Sequence, residues 1–380
     1  MYKKYKVPPL LFPLTSFIIG ILLQKSYNFQ NITLFSFLAV LSLVTAFFAK
    51  FKTKSKIFDL LFYFSIFYFF LFAGIYLFQK QIDDMEEICQ KIDGKTVTMV
   101  GTIQDKQAIQ SPFLKEILKL KINKIKEEND FDFKNENFNI LLYLKEDSNL
   151  EVSDSIKINN IEIKPIEIKG NLSENQTFKD YLVKEDIATT IFPKELNYEL
   201  LNRPEYSFKR WIAQKRINLL HSIKEKLSPH AISMYSCIFL GEKKENYFYI
   251  KHTRHMYNYW GITHYLARAG IHLTMLIFAW KILIGLLPIS FYLKHLLLLL
   301  FSISYSLLSY PSITFIRAIL IFLSYEIGKL INRRSNFLHM LTLICLTILM
   351  LDPYQIFFVD FQLSFGITFA LGFFMQNQNK

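Results

Sequence analysis

Apolar residues in this chain are concentrated in long runs at both ends, and a charged stretch separates the two groups of runs. A run of about 20 apolar residues can cross the hydrocarbon core of a bilayer as a helix. Hydrophobic residues make up 52% of the sequence, and 38 Phe are too many for one water-soluble core. The pattern predicts an α-helical polytopic membrane protein with an extramembrane insert, and it excludes a disordered or fibrous chain.

Eight apolar runs are candidate spans, three before the charged stretch and five after it. They cover about residues 8–24, 32–49, 57–78, 263–287, 291–310, 312–331, 337–351 and 355–375. The short run at 337–351 ends at Asp352-Pro353, where proline stops a helix.

The runs divide the chain into four regions. These are an N-terminal three-span segment at 1–79, an insert at 80–205, a basic amphipathic region at 206–262 and a C-terminal membrane domain at 263–380.

Basic clusters predict the orientation of the spans, because loops rich in Lys and Arg stay in the cytoplasm. The clusters are Lys3, Lys4 and Lys6, then Lys50, Lys52, Lys54 and Lys56, and then Lys329, Arg333 and Arg334. Counting spans from them puts both termini in the cytoplasm and residues 80–205 in the periplasm. An anion path is an alternative meaning of the same basic excess.

The insert is predicted to be a small all-β domain. Residues 81–200 contain 16 Lys, no Arg and 24 Asp or Glu, a formal charge of −8 in a chain of +12. Stretches at 96–103, 114–125, 138–144 and 155–163 are rich in β-branched residues or alternate in polarity. About five such strands favour a small barrel or sandwich, with an OB-like barrel as the first choice.

The region at 206–262 carries cationic and apolar residues in alternation. Arg210, Lys215 and Arg216 interleave with Trp211 and Ile212, which predicts a basic amphipathic helix on the bilayer surface. Further along, Tyr257, Tyr259 and Trp260 cluster at the outer boundary. They fit an aromatic belt at the membrane surface or a stacking platform for nucleotide bases.

Charged side chains inside spans are candidate functional residues, because a charge near the bilayer centre costs about 2.5–3.5 kcal/mol. His264, Arg268 and His272 recur at every fourth position and line one stripe of a helix, with Gly270 between them. His264 and Arg268 could instead lie at the level of the lipid headgroups.

The last spans contain further polar candidates. Arg317 and Glu326 share one span, but their separation puts them on opposite faces, so each needs its own partner. Arg317 could also extend its side chain to the membrane surface. Gln362 and Ser364 lie in the final span, where polar residues more often tie helices together than contact a ligand. No P-loop and no HExxH motif is present, so we predict no cofactor, metal site or catalytic residue.

Three motifs resemble the ComEC family of DNA-uptake channels of naturally competent bacteria. Residues 264–272 resemble the HLLAxSGLH segment, Arg317-Ala318 after Pro311-Ser312 resembles the P…xRA element, and Asp352-Pro353 before 361–365 resembles DP…FQLSF. Before them, residues 178–182 are similar to the family's FDYxxYL ending. Within the first motif, Arg268 replaces an aliphatic residue and Ala269 replaces a serine, so a role that depends on that hydroxyl is absent here.

The resemblance implies an inner-membrane channel that carries single-stranded DNA into the cytoplasm during natural transformation. The residues expected along the DNA path are His264, Arg268, Gly270, His272, Arg317, Gln362 and Ser364. The implied partners are single-stranded DNA, membrane lipid, a periplasmic DNA receptor, a cytoplasmic motor and a second copy of the chain. Many family members continue into a metallo-β-lactamase-like domain, whereas this chain ends at Lys380, so we expect transport and no enzymatic activity.

Two other functions stay open on the sequence. An intramembrane metal-dependent hydrolase or nuclease would use His264, His272, Glu326 and Asp352 as metal ligands or acid–base groups. A transporter of small molecules or lipids is the third possibility.

Overall fold

The chain forms two compact units. The split unit consists of Met1–Asp84 and Leu320–Lys380, and the central unit consists of Met85–Ile319. The computed structural model describes residues 8–29, 32–52, 56–92, 94–108, 113–127, 132–163, 181–193, 197–241, 255–260, 270–310, 312–331 and 336–378.

Helices lie in all eight segments marked by apolar runs. The longer helices of the described part are α1 (Leu11–Tyr27), α2 (Ile32–Lys52), α3 (Lys56–Ile92), α4 (Phe208–Lys224), α5 (Pro229–Tyr235), α6 (Gly270–Gly285), α7 (Phe291–Leu308), α8 (Ile313–Leu330), α9 (Phe337–Leu351) and α10 (Val359–Gln378). Within this part, α7 and the stretch Asp59–Ile92 of α3 are long and apolar enough to cross a membrane. Shorter apolar helices lie in α1, α2, α6 and α9.

Helix α3 continues well past the predicted span at 57–78 and ends at Ile92. Its last turns carry apolar residues at helical spacing, and Met85, Cys89 and Ile92 are buried in the core of the central unit. Because polar helix formers separate these apolar positions, the segment extends the helix without extending the hydrophobic run. The length of the apolar run therefore predicted the span at 57–78 but not the end of helix α3 at Ile92.

Two glycines let α1 and α3 approach closely within the split unit. A Cβ atom on Gly20 would overlap the carbonyl oxygen of Leu71, and a Cβ atom on Gly74 would overlap that of Phe17. Each helix thus presents a glycine to the backbone of the other. Small residues at a helix crossing permit the backbone contact that holds apolar helices together in a bilayer.

We predict that Gly20→Ala destabilises the protein by about 1–3 kcal/mol, because the added methyl must push the two backbones apart. The matched control is Gly366→Ala in α10, where no atom lies within 4 Å of the added carbon. Alanine is also the better helix former, so the control should melt at or above the wild-type temperature. Thermal unfolding in detergent measures both, and equal melting temperatures would contradict the close crossing.

The central unit contains one mixed sheet of six described strands. They are β1 (Thr96–Ala108), β2 (Glu116–Glu127), β3 (Lys134–Leu144), β4 (Ser155–Glu162), β5 (Ile187–Ile191) and β6 (Tyr198–Asn202). The order is β5-β3-β2-β1-β4-β6, and only the β3–β5 pair is parallel among the described pairs. The stretches predicted as strands coincide with β1–β4. The short strands β5 and β6 carried no clear alternation and were missed.

The two faces of the sheet are covered differently. On the inner face, alternate residues of β2 such as Leu118, Leu120 and Ile122 are completely buried in the main core. On the outer face, Leu182 from the helical turn at 181–184 packs with residues of β2, β3 and β5. The leucine of the motif at 178–182 thus helps to cover the outer face of the sheet.

A buried carboxylate fixes the point where α4 leaves the sheet. Asp154 is fully buried between two guanidinium groups. Arg203 donates to its Oδ1 at 3.1 Å and to its Oδ2 at 2.7 Å, and the terminal nitrogen of Arg210 also donates to Oδ1. The backbone N–H of Glu151 donates to Oδ2 at 2.8 Å. Because Arg210 lies in the first turn of α4, these bonds hold the start of that helix against the loop before β4.

We expect Asp154→Asn to destabilise the protein by about 3–5 kcal/mol, because it leaves two arginines around a neutral group in a buried site. Asp147→Asn is the control, since its carboxylate is 73% exposed and its pair with Lys115 spans 3.6 Å. Surface pairs of this kind contribute about 0–1 kcal/mol. Chemical denaturation of both variants compares them, and similar midpoints would rule out a structural role for the buried pair.

Candidate functional site

The predicted stripe of histidine and arginine is only partly described. His264 and Arg268 lie outside the described residues, Gly270 is the first residue of α6, and His272 is half-buried in its first turn. The common face predicted for the three side chains therefore stays a prediction.

The aromatic residues expected at the outer boundary lie in a short helical segment at 255–260. Tyr259 and Trp260 are 82% and 71% exposed, whereas Tyr257 is half-buried. The rings of Tyr259 and Trp260 meet edge to face, with centroids 5.6 Å apart. Strong exposure of both rings is compatible with either predicted role, the membrane belt or the stacking platform.

The two charged residues of α8 belong to different units. Arg317 is half-buried in the central unit, between the buried side chains of Phe315 and Ile319 in the sequence. Glu326, in the split unit, is 1% exposed, and Nζ of Lys329 lies 3.9 Å from its Oε1. A charged group is thus held among apolar residues on each part of the helix.

The polar residues of the final span have different surroundings. Gln362 is exposed and donates to the carbonyl oxygen of Ile356 at 2.8 Å, which ties α10 to the turn before it. Ser364 is buried, and its Oγ has no hydrogen-bond partner among the described residues. Phe361 and Phe365 are buried with ring centroids 4.6 Å apart. This contact of Gln362 is local to α10 and its preceding turn, so a role in tying helices together stays a prediction.

Asp352 joins three elements of the split unit. Its Oδ1 accepts from the side-chain amide of Gln81 in α3 at 2.9 Å and from the backbone N–H of Tyr354 at 3.2 Å. Its Oδ2 accepts from the amide of Gln355 at 2.6 Å. Pro353 begins the 3-10 turn Pro353–Phe357, so the aspartate caps that turn while the proline stops α9. The Asp-Pro pair therefore both ends a helix and binds it to α3.

A second set of polar contacts joins α1 to the same part of α3. The amide of Gln24, which is 1% exposed, donates to the side-chain oxygen of Gln79 and to the carbonyl of Phe29. Gln79 in turn donates to Asp83 at 2.6 Å. Since a carboxylate accepts and cannot donate, Asp83 fixes the direction of both amides.

Aromatic rings extend this junction. The ring centroid of Phe78 in α3 lies 5.9 Å from that of Tyr354 and 5.5 Å from that of Phe357. Nζ of Lys25 lies 3.6 Å from the centroid of the Phe357 ring. We call the polar residues of the junction the helix-end cluster. Its members are Gln24, Gln79, Gln81, Asp83, Asp352 and Gln355. The sequence analysis found Asp352 through its motif, but the glutamines show no spacing that would have identified them.

In the central unit, Arg216 of α4 caps the C-terminal end of α7. Its Nε donates to the carbonyl of Leu308 at 2.9 Å, and its guanidinium carbon lies 3.9 Å from the centroid of the Tyr310 ring. The backbone N–H of Tyr310 donates to the carbonyl of Leu240, which ends the π-helical turn Ser236–Leu240. Two of the basic residues predicted to face lipid, Arg210 and Arg216, are thus engaged inside the protein.

The described residues do not support the metal site of the alternative hydrolase hypothesis. In the part of the chain that the structure describes, no group of three His, Cys, Asp or Glu residues could hold a metal ion. Asp352 accepts hydrogen bonds on both of its oxygens, which explains its position by structure alone.

We predict that Asp352→Ala destabilises the split unit more than Asp352→Asn. The alanine leaves the Gln81 and Gln355 amides without their acceptor, at about 1–3 kcal/mol for each group. The Tyr354 N–H keeps only its bond to the side-chain oxygen of Gln81 at 3.3 Å. The amide introduced by Asp352→Asn keeps one acceptor oxygen, and its NH2 can bond to Gln355 after that side chain flips. Melting temperatures of the two variants in detergent rank them, and an equal loss would contradict the acceptor role.

Comparison with known proteins identifies the C-terminal part of the chain. Residues 239–380 match the model of a family described as Competence protein. ComE operon protein 3 of Bacillus subtilis (strain 168) is 27% identical over 171 residues, which are 45% of this chain and 21% of that relative. The chain thus matches about a fifth of the relative's length, and no solved structure matches significantly.

The matched region begins in the π-helical turn and includes α6–α10, with Arg317, the Asp-Pro pair and the final span. The match implies a membrane protein. The match over residues 239–380 and the similarity to ComE operon protein 3 together support a ComEC-family competence protein.

Proposed function

We propose that this chain forms an inner-membrane channel through which single-stranded DNA enters the cytoplasm during natural transformation. The observation that carries the proposal is the match of residues 239–380 to the Competence family. A strand has one negative charge per nucleotide, so its passage requires a hydrated route lined by protein. The half-buried Arg317 and His272 are the described groups that would supply positive potential along it.

The positive potential must attract the strand without retaining it, because conduction requires release as well as entry. His264, Arg268, Gly270, Gln362 and Ser364 complete the path that we propose. The exposed rings of Tyr259 and Trp260, with Tyr257, would stack bases at its outer end.

The helix-end cluster supports a multi-pass orientation with both termini in the cytoplasm. The cluster joins the C-terminal ends of α1 and α9 to α3 beyond Phe78, so these ends share one side of the membrane. The basic clusters around 3–6, 50–56 and 329–334 lie toward the opposite helix ends in the sequence. Because basic loops stay in the cytoplasm, the helix-end cluster and the insert at 80–205 are periplasmic in this proposal.

We also propose that the insert is an OB-like domain. Strands β1–β3 form an antiparallel meander, β3 pairs with β5 in parallel, and β1 pairs with β4. These pairings are those expected of the five-stranded Greek-key barrel, with β6 as an added edge strand. The last turns of α3, including Met85, Cys89 and Ile92, fill part of its core.

The remaining parts of the proposal concern partners. Membrane lipid surrounds the apolar helices, a periplasmic receptor delivers the DNA, and a cytoplasmic motor supplies the driving force. A homo-oligomer of the chain is compatible with the same path, and the proposal assigns no catalytic step to the chain. Uptake assays with competing nucleotides, small solutes and lipids distinguish a DNA path from a transporter of small cargo.

We predict that Arg317→Ala lowers transformation by about tenfold or more, since each 1.4 kcal/mol of lost stabilisation of the strand changes an equilibrium tenfold. Protein level and capture of DNA at the cell surface should persist. Arg317→Lys should restore part of the activity by retaining the charge.

Lys281→Ala is the matched control, because it removes an exposed cation from α6. Transformation frequency, immunoblots of membrane fractions and surface-bound DNA are measured for all three variants. Wild-type transformation by Arg317→Ala would remove this residue from the path.

A further inference from the structure

Exposed aromatic rings cluster at the start of α4. Tyr206 is 99% exposed just before the helix, and Phe208 and Trp211 are 63% and 56% exposed in its first turns. The rings of Phe208 and Trp211 are stacked, with centroids 6.0 Å apart and planes 15° apart. Nζ of the exposed Lys215 lies 5.8 Å from the centroid of the Trp211 ring. We call these four residues the aromatic face of α4.

The aromatic face lies on a different side of α4 from the residues that pack on the protein. Phe208, Trp211 and Lys215 are separated by three and four positions, which places their side chains in one row along the helix. On another side, Leu220 is buried and Arg216 binds the end of α7. Helix α4 therefore has one side that is fixed to the protein and one that exposes aromatic rings and an ammonium group.

The contact between Arg216 and α7 relates α4 to the level of the membrane. Helix α7 has 18 residues and is apolar enough to cross a membrane, and Arg216 binds the carbonyl oxygen of its last residue, Leu308. Its length of about 27 Å is close to the hydrocarbon thickness of about 30 Å, so that carbonyl lies near the boundary with the headgroups. Trp211 precedes Arg216 by about 7.5 Å of helix, and the headgroup layer is about 5–8 Å thick on each side. Trp211 is therefore within reach of the headgroups.

The exposed residues have the chemistry of that layer. Trp and Tyr are enriched at membrane surfaces, because their rings are apolar while their polar groups can bind water or lipid. Residues 206–226 contain six basic residues and one acidic residue, which suits a surface of lipid phosphates. Two of the six, Arg210 and Arg216, bind groups of the protein. The other four are exposed lysines, namely Lys209, Lys215, Lys224 and Lys226.

We propose that the aromatic face of α4 lies in the headgroup layer of the membrane, in the leaflet that contains the C-terminal end of α7. The rings of Phe208 and Trp211 would lie between the headgroups and the acyl chains, and Lys215 would contact a lipid phosphate. Because Asp154 holds the start of α4 against the sheet, the same contact would attach the sheet to the membrane surface. This attachment goes beyond the channel function and does not depend on the passage of DNA.

The fluorescence of a single tryptophan tests the level of α4 in the membrane. The chain has three tryptophans, so Trp260→Phe and Trp280→Phe together leave Trp211 as the reporter. The full chain is placed in nanodiscs of phosphatidylethanolamine and phosphatidylglycerol, with a fraction of lipid brominated near either the ester end or the methyl end of its acyl chains. Bromine quenches an indole only at close range. We expect a greater loss of Trp211 emission with bromine near the ester end, and little loss with iodide in the water.

Two further variants support the measurement. Trp211→Phe and Trp260→Phe together leave Trp280, whose position in α6 is about 15 Å from the start of that helix, or half the hydrocarbon thickness. Its emission should be quenched more by bromine near the methyl end. Phe208→Trp, with all three native tryptophans changed to Phe, places a second reporter on the aromatic face. It should give the same order of quenching as Trp211.

Three results would overturn the proposal. Quenching of Trp211 by iodide but by neither brominated lipid would show that the aromatic face is in water. Weak quenching by all three reagents would show that protein covers it, for example a second copy of the chain. Stronger quenching by bromine near the methyl end would place it inside the hydrocarbon. Since none of these measurements involves DNA, the membrane attachment can fail while the channel proposal stands.

Discussion

Polar groups held among apolar helices must find their hydrogen-bond partners inside the protein, and the split unit depends on this constraint. A buried amide or carboxylate without a partner would cost several kcal/mol. The helix-end cluster meets part of this constraint by joining side chains from α1, α3 and the turn after α9. The side-chain oxygens of Gln24 and Gln355 have no hydrogen-bond partner among the described residues. Asp352 and Asp83 act as fixed acceptors, and the glutamines bridge between helices. The same contacts hold the C-terminal ends of α1 and α9 against α3 between Gln79 and Asp83.

The central unit uses the same chemistry at its own helix boundaries. Asp154 binds Arg210 at the start of α4, and Arg216 from that helix binds the end of α7. Helix α4 therefore connects the sheet to the apolar helices of this unit through charged groups at defined positions. Its basic residues predict a helix on the lipid surface when only the sequence is considered. Two of them, Arg210 and Arg216, instead make this internal connection. The pattern of charges in the sequence does not distinguish basic residues that face lipid from basic residues that bind groups within the protein.

The sequence predicted the helices and the first four strands because period and run length determine them locally. It did not predict the extension of α3 to Ile92, since the apolar positions there are separated by polar residues. It also missed β5 and β6, whose pairing depends on distant strands rather than on their own pattern. Among site residues, the motif located Asp352, but its partner Gln81 is far away in sequence and only folding brings the two together. The stacked rings of Tyr143 in β3 and Phe192 just after β5 come together in the same way.

The proposed function is the passage of a DNA strand across a membrane whose hydrocarbon core excludes charged groups. The most direct test is to delete the gene in the host bacterium, supply labelled DNA and follow where the label accumulates. The account predicts that DNA is captured and then remains between the two membranes, with none in the cytosol, until the intact gene is restored. Label that reaches the cytosol of the deletion strain at the wild-type rate would contradict it.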